Sequence, residues 1–203
     1  MKPKHLLSLS VLLISAACSQ PEQKPLTQYV DMYIGTGGHG HVFMGANVPF
    51  GAVQLGPTSI PQSWDWVSGY HISDTTVIGF SHTHLNGTGI GDLFDVTVMP
   101  VVGGVTYARG TEDDPQSGLW SYCWDKATET AFVSDGLRLS GYRYSTGWAK
   151  DQRVYFTAEF SKPVKNISYP DASETVPEEG DVTVKGRYAR VEFDTTDGEP
   201  LYM

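Results

Sequence analysis

The sequence is poor in cysteine and in basic side chains, and each shortage excludes a class of protein. Cys18 and Cys123 are its two cysteines. If Cys18 carries lipid, Cys123 has no partner within the chain, so we predict a domain without a disulfide and a buried Cys123. Lys and Arg number 14 against 23 Asp and Glu, a formal net charge of -9. This charge repels polyphosphate, which argues against nucleic acid as a partner and favours a neutral or cationic ligand.

Long hydrophobic runs are also missing, except at the N-terminus. Two lysines precede an apolar run over residues 6–17, which is too short to span a bilayer and ends in small residues before Cys18. We predict that residues 1–17 are a signal peptide resembling the bacterial lipoprotein type, whose cysteine is acylated and becomes the first mature residue. Ser15 stands where an aliphatic residue is usual, which leaves a soluble exported product as the alternative.

The segment that follows, residues 18–28, is polar and contains two prolines. This composition is typical of a tether between a membrane anchor and a folded body. We therefore expect an exported protein that is lipid-anchored to a bacterial membrane through Cys18, in the periplasm or at the cell surface. The folded body is predicted to cover residues 29–203.

Helical periodicity is scarce in that body. Short runs rich in β-branched and aromatic residues recur between turn signals, and 22 glycines and 12 prolines interrupt them. Within residues 153–160 the side chains alternate as in a strand with one buried face. The predicted fold class is all-β, a β-sandwich. The predicted strands cover residues 53–55, 76–80, 96–99, 153–160, 182–184 and 189–193.

Residues 35–40 match the G-x-G-x-x-G string of dinucleotide-binding proteins, but we reject that interpretation. The fingerprint needs a following helix whose N-terminus takes the pyrophosphate, and here closely spaced glycines and prolines forbid a long helix. Two alternatives remain open. The glycines either position His39 and His41 near a pocket or serve tight turns of a β-protein.

Two further histidines, His82 and His84, lie one residue apart and would share a face if the segment is extended. A transition-metal site is disfavoured, since no third ligand follows at a diagnostic spacing. We predict instead that neutral imidazoles, with Asn86 and Thr88, form hydrogen bonds in or beneath a polar pocket. A core pair satisfied by the backbone is the rival interpretation.

Trp64, Asp65 and Trp66 favour a sugar ligand, and an extended segment would point both indoles to the same side. A pyranose presents an apolar face flanked by hydroxyls, which suits a stacking indole beside a carboxylate that accepts hydroxyl protons. The alternative is that one tryptophan belongs to the core and the other covers an edge.

Three blocks of the chain, residues 29–57, 63–100 and 140–163, carry a family resemblance. They include the strings IGTGGHGH, WDWVSGYH and GFSHTHLNGTGIGD, and they resemble the N-terminal domain of glycoside hydrolase family 92. Members of that family are exo-acting, calcium-dependent α-mannosidases that invert the anomeric configuration. The resemblance implies a mannose-containing glycan as ligand. It guides the assignment of Trp64 and Trp66 to a mannose subsite, supported by Asp65, His82, His84 and Asn86.

The resemblance implies no catalytic residue and no metal ligand in this chain. In the family the N-terminal sandwich packs on a helical-barrel domain that supplies the catalytic acid and base and the calcium ligands, and nothing here matches that domain. Inverting hydrolysis needs a carboxylic acid and a separate carboxylate base. Asp92 and Asp95 are interpreted as turn and strand-edge residues rather than as that pair.

The sequence departs from the family pattern at two places. Strands that relatives carry between residues 130 and 133 are missing, which predicts an incomplete sandwich. The chain also stops at Met203 just as a new apolar run begins, and an unpaired edge there would favour aggregation.

Three hypotheses follow from the residues and the resemblance. The first is the N-terminal portion of an exported α-mannosidase, which supplies part of the sugar site and is inactive alone. The second is a stand-alone carbohydrate-binding surface lipoprotein without catalysis. The third is a truncated product that folds poorly.

Overall fold

The computed structural model describes residues 24–48, 51–59, 63–87, 95–104, 126–135, 137–147, 149–177 and 182–203. Contacts divide the chain into two units, Met1–Asp31 and Met32–Met203. The described part of the first unit contains a 3-10 helix, Leu26–Tyr29. The predicted boundaries of signal peptide, tether and body stay predictions.

The described part of the second unit consists of β-strands and one short 3-10 helix, Trp64–Trp66. No α-helix occurs in the described ranges, and none of their helices is long and apolar enough to cross a membrane. The prediction of an all-β fold is confirmed. The ten strands are Gly56–Thr58 (β1), Gly79–Ser81 (β2), Thr97–Val98 (β3), Lys126–Ser134 (β4), Arg138–Thr146 (β5), Gln152–Glu159 (β6), Val164–Ser168 (β7), Glu174–Pro177 (β8), Val182–Lys185 (β9) and Arg190–Phe193 (β10).

These strands form three antiparallel sheets. The largest has the order β6-β5-β4-β9-β8, a second has the order β1-β2-β3, and β7 pairs with β10. At the connection between β4 and β5, the carboxylate of Asp135 accepts hydrogen bonds from the backbone N–H groups of Leu137 (2.8 Å) and Arg138 (2.7 Å). An aspartate that bonds the backbone two and three residues on is a local turn-forming device, so this hairpin is encoded locally.

The inner face of the five-stranded sheet is built around a glycine. Phe132 of β4, Gly141 of β5 and Phe156 of β6 lie opposite one another, so they share one face. A Cβ on Gly141 would lie 2.6 Å from the ring of Phe156, so the aromatic ring occupies the space that a side chain would need. The same face includes Val184, which is 2% exposed. The predicted alternation in β6 is confirmed, because its inward residues are half-buried and the residues between them exposed.

Strand boundaries depart from prediction mainly in the first half of the chain. The run 53–55 lies just before β1, and the run 76–80 overlaps β2 by two residues. Both strands are only three residues long, so the ends of such elements are weakly specified by propensity. Where strands were expected to be missing, around residues 130–133, β4 continues without a break.

Candidate functional site

The glycine-rich segment at residues 35–40 forms a loop that folds back on itself. The backbone N–H of Val42 donates to the carbonyl of Gly35 at 3.2 Å, and Gly35 has the left-handed φ of 82°. A Cβ on Gly40 would lie 2.1 Å from that same carbonyl oxygen, so residue 40 must be glycine for the loop to close. No helix follows this loop in the described residues up to 48, which agrees with rejecting a dinucleotide site.

The Trp64–Trp66 segment is a 3-10 helix, so the extended conformation that would point both indoles to the same side is not formed. The hydroxyl of Ser63 accepts the N–H of Asp65 at 3.4 Å and caps the first turn. In a 3-10 helix, side chains two residues apart diverge by about 120° instead of sharing a face. The two indoles therefore contact different residues.

Trp64 packs against both histidines of the glycine-rich loop. Its ring centroid lies 4.1 Å from that of His41, edge to face, and 5.2 Å from that of His39. Asp65 completes the group, which we call the His–Asp cluster (His39, His41 and Asp65). Its Oδ1 is hydrogen-bonded to Nδ1 of His39 and lies 3.9 Å from Nε2 of His41. The loop therefore brings both histidines to Trp64 and Asp65, and the glycines at positions 35 and 40 form its tight turn.

Exposure separates the members of this region. The indole of Trp64 is 53% exposed, and the side chain of Asp65 is 25% exposed. The side chain of His39 is 74% exposed, whereas that of His41 is 6% exposed. The region therefore presents an accessible indole and a partly accessible carboxylate above a buried imidazole.

Trp66 has a different role in the structure. Its indole stacks on His71 at a centroid distance of 4.3 Å, and its Nε1–H donates to Asp74 at 2.8 Å. The other oxygen of Asp74 accepts the N–H of His71 at 2.9 Å. One indole face and the indole N–H are thus already used within the protein.

His82 and His84 lie beyond β2, which ends at Ser81, so they do not lie on a strand that would place them on one face. The imidazole of His82 donates through Nδ1 to the carbonyl of Val96 at 3.0 Å. His84 is 6% exposed, and its Nε2 lies 3.1 Å from the hydroxyl of Ser81. These contacts correspond to the rival interpretation, a pair satisfied largely by neighbouring protein groups.

Asn86 is exposed and lies two residues after His84. The next residue, Gly87, donates its N–H to the carbonyl of His41 at 2.8 Å, which ties the loop to the His–Asp cluster. The predicted partner Thr88 lies outside the described residues, as do Asp92, Cys18 and Cys123.

A cleft of about 590 Å³ lies elsewhere, between residues near β3 and β10, including Met99, Val101, Val191 and Phe193. None of the six predicted sugar-contact residues lines it. The accessible indole of Trp64 and the carboxylate of Asp65 therefore lie outside this cleft.

The comparison with family models decides the assignment. The model described as "Glycosyl hydrolase family 92 N-terminal domain" matches residues 29–134 and 125–203. The chain belongs to this family. The two matched segments of the family 92 domain overlap within β4, at the place where the sequence departs from the family pattern.

Solved structures support the same fold for the family 92 domain. Two structures of an α-mannosidase from Bacteroides thetaiotaomicron, one in complex with mannoimidazole, match with TM-scores of 0.59 and 0.60 at 24% and 23% identity. They cover 86% and 88% of this chain, and the chain covers 33% and 35% of theirs. The β-sandwich prediction is confirmed by this match.

A curated relative from Arthroderma benhamiae is described as an uncharacterized secreted glycosidase. It is 37% identical over 84 residues, which is 41% of this chain and 10% of the relative. The match to that relative therefore covers about a tenth of its length, and this chain covers about a third of the solved enzyme.

Proposed function

We propose that this chain is the N-terminal portion of an exported α-mannosidase acting on mannose-containing glycans, and that it supplies one wall of the sugar site. The family assignment supports a glycosidase. The names of the neighbours support the finer points, since one solved relative is an α-mannosidase and the fungal relative is a secreted glycosidase.

The exposed indole of Trp64 beside the carboxylate of Asp65 carries this proposal. A pyranose stacks its C–H face on an accessible indole while an adjacent carboxylate accepts protons from two of its hydroxyls. His39 is hydrogen-bonded to Oδ1 of Asp65. In this proposal the second carboxylate oxygen, Oδ2, accepts the hydroxyl groups of the ligand. In this proposal Trp66, His82 and His84 support the sugar-contact surface from below, and Asn86 contributes at the edge of that surface.

Hydrolysis itself is assigned to groups outside this chain. Inversion requires two carboxyl groups about 6.5–9.5 Å apart on opposite sides of the sugar. The described aspartates nearest to the predicted residues in sequence, Asp74 and Asp95, are both engaged by protein hydrogen bonds. We propose that a helical domain provides the acid, the base and the calcium ion.

Binding of a methyl α-mannoside by the purified protein together with the helical domain tests the sugar site. Trp64→Ala is expected to weaken binding at least tenfold, because the stacking surface is lost. Trp66→Ala is the matched comparison, since it removes an indole that already stacks on His71. Equal binding by the parent and Trp64→Ala would refute the stacking role.

The alternative is a carbohydrate-binding surface lipoprotein without catalysis. It is favoured by the presence of Trp64, Asp65 and both supporting histidines within one structural unit. Saturable binding by the chain alone, without calcium, would support this alternative, whereas binding only after addition of the helical domain would support the half-site. Incorporation of labelled palmitate that Cys18→Ser abolishes would test the lipid anchor.

A further inference from the structure

His41 is the most unusual residue in the described part of the chain. Its φ is 52°, and it is the one non-glycine residue there with a positive φ. A side chain other than glycine, asparagine or aspartate in this region costs free energy and persists where the surroundings enforce it. Such strain tends to accumulate at functional sites, so His41 is a candidate functional residue.

The buried ring of His41 has an unused nitrogen. Its side chain is 6% exposed, and Nε2 has no hydrogen-bond partner among the described residues. Leaving such a polar atom buried and unpaired costs free energy, because the hydrogen bond that it makes with water is lost without replacement. The nitrogen lies 3.9 Å from the Oδ1 of Asp65, which is too far for a hydrogen bond.

A metal ion bound between the imidazoles of His39 and His41 and the carboxylate of Asp65 would give the unpaired nitrogen of His41 a partner. One ring nitrogen of each histidine and an oxygen of Asp65 all lie within 4.8 Å of one another. A tetrahedral zinc ion with bonds of about 2.0–2.1 Å separates its ligand atoms by about 3.3 Å, so the cluster needs a modest adjustment to bind it. His39 moves at little cost because its side chain is 74% exposed.

We propose that the His–Asp cluster is a zinc site, with His39, His41 and Asp65 as ligands and water in the fourth position. Two imidazoles and one carboxylate are a ligand set that zinc accepts and that hard cations such as calcium avoid. His39 binds through Nδ1 once its hydrogen has moved to Nε2, which faces solvent. The edge of Trp64 keeps the ring of His41 in place.

This site differs from the metal-free assignment that the sequence suggested. No third ligand lies near His39 and His41 in the sequence, because Asp65 is 26 residues from His39 in the chain. The inference is independent of the glycan proposal, because zinc binding is measured in the absence of sugar.

The experiment is a zinc titration of the purified, chelator-treated protein, produced without a histidine tag, in competition with a chromogenic chelator. One zinc ion per chain is expected. His39→Asn and His41→Asn are each expected to weaken binding at least tenfold, since even outer-sphere changes cost about 10–100-fold in metal affinity. Asparagine tolerates the left-handed backbone at position 41, so this variant removes the imidazole and keeps the loop.

His71→Asn is the matched control, because His71 is a histidine outside the cluster, and unchanged zinc affinity is expected. Cobalt should bind at the same site and give the intense visible absorption of a tetrahedral ion, which His41→Asn removes. Absence of zinc binding, or equal affinity in the parent and both cluster variants, would overturn the proposal. So would tighter binding of calcium than of zinc.

Discussion

The carboxylate of Asp95 and the guanidinium of Arg143 form a buried ion pair that joins two sheets. The side chain of Asp95 is 1% exposed and that of Arg143 is 12% exposed. Gln152 donates to both carboxylate oxygens at 3.2 Å, and the hydroxyl of Thr83 donates at 3.1 Å. Asp95 precedes β3, while Arg143 and Gln152 belong to β5 and β6. The interpretation of Asp95 as a strand-edge residue did not predict its buried ion pair with Arg143.

Replacing Asp95 by Asn is expected to destabilise the domain strongly. The change removes the carboxylate charge that pairs with the buried cation of Arg143, and breaking a buried pair in this way costs about 3–5 kcal/mol. Urea unfolding followed by circular dichroism measures the loss of free energy.

Asp151→Asn is the matched control for that experiment. Asp151 also pairs with an arginine, Arg153, but the two side chains are 64% and 57% exposed. An exposed pair contributes about 0–1 kcal/mol, so this variant should unfold near the parent's midpoint. Equal losses in both variants would show that burial does not set the strength of the Asp95 pair.

Gly40→Ala is expected to disturb the loop that carries the two cluster histidines. The added Cβ would lie 2.1 Å from the carbonyl oxygen of Gly35, which is backbone and cannot turn aside. Overpacking of this kind costs about 1–3 kcal/mol. Gly104→Ala is the control, because no atom of the described residues lies within 4 Å of its Cβ position. Thermal unfolding of both variants, with mannoside binding as the second measurement, tests the role of the loop.

Tyr142 is expected to ionise late. Its hydroxyl donates to Oε1 of Glu129 at 2.7 Å, and this hydrogen bond, with burial and the charge of Glu129, raises the pKa of Tyr142 from 10.0 to about 12. Because the folded state favours the neutral phenol, its contribution is fully present below pH 10 and is lost as the pH rises toward 12. A spectrophotometric tyrosine titration should lose its latest component in Tyr142→Phe. Glu129→Gln should shift that component to lower pH, and an unchanged titration would contradict this account.

Asp135 is expected to contribute to loss of stability in acid. The backbone N–H groups of Leu137 and Arg138 stabilise its carboxylate and lower its pKa from 3.8. Its contribution is therefore present above that value and is lost as the pH falls through the lower, folded-state pKa. Asp135→Ala should show a weaker dependence of the melting temperature on pH in acid than the parent, and an identical slope would exclude Asp135 as a contributor.

Local patterns predicted well those features that depend on neighbouring residues in the chain. The alternation within β6 follows from the two-residue repeat of a strand, so burial on one face could be predicted from residues 153–160 alone. The motifs of residues 29–57 and 63–100 likewise indicated the family that the comparison established. The conformation of Trp64–Trp66 was not predicted, since three residues contain too little of any period to distinguish a strand from a 3-10 turn.

The sequence by itself determined the all-β class, the acidic charge and the glycine-rich loop, because each depends on composition or on residues close together in the chain. Tertiary structure alone decided that His39 meets Asp65 across 26 residues and that Asp95 meets Arg143 across 48. Such contacts depend on how the intervening strands pair and how the loops close, and no local period encodes that geometry. Closure of the glycine-rich loop also places the buried Nε2 of His41 3.9 Å from Asp65. This proximity makes His39, His41 and Asp65 a candidate metal site.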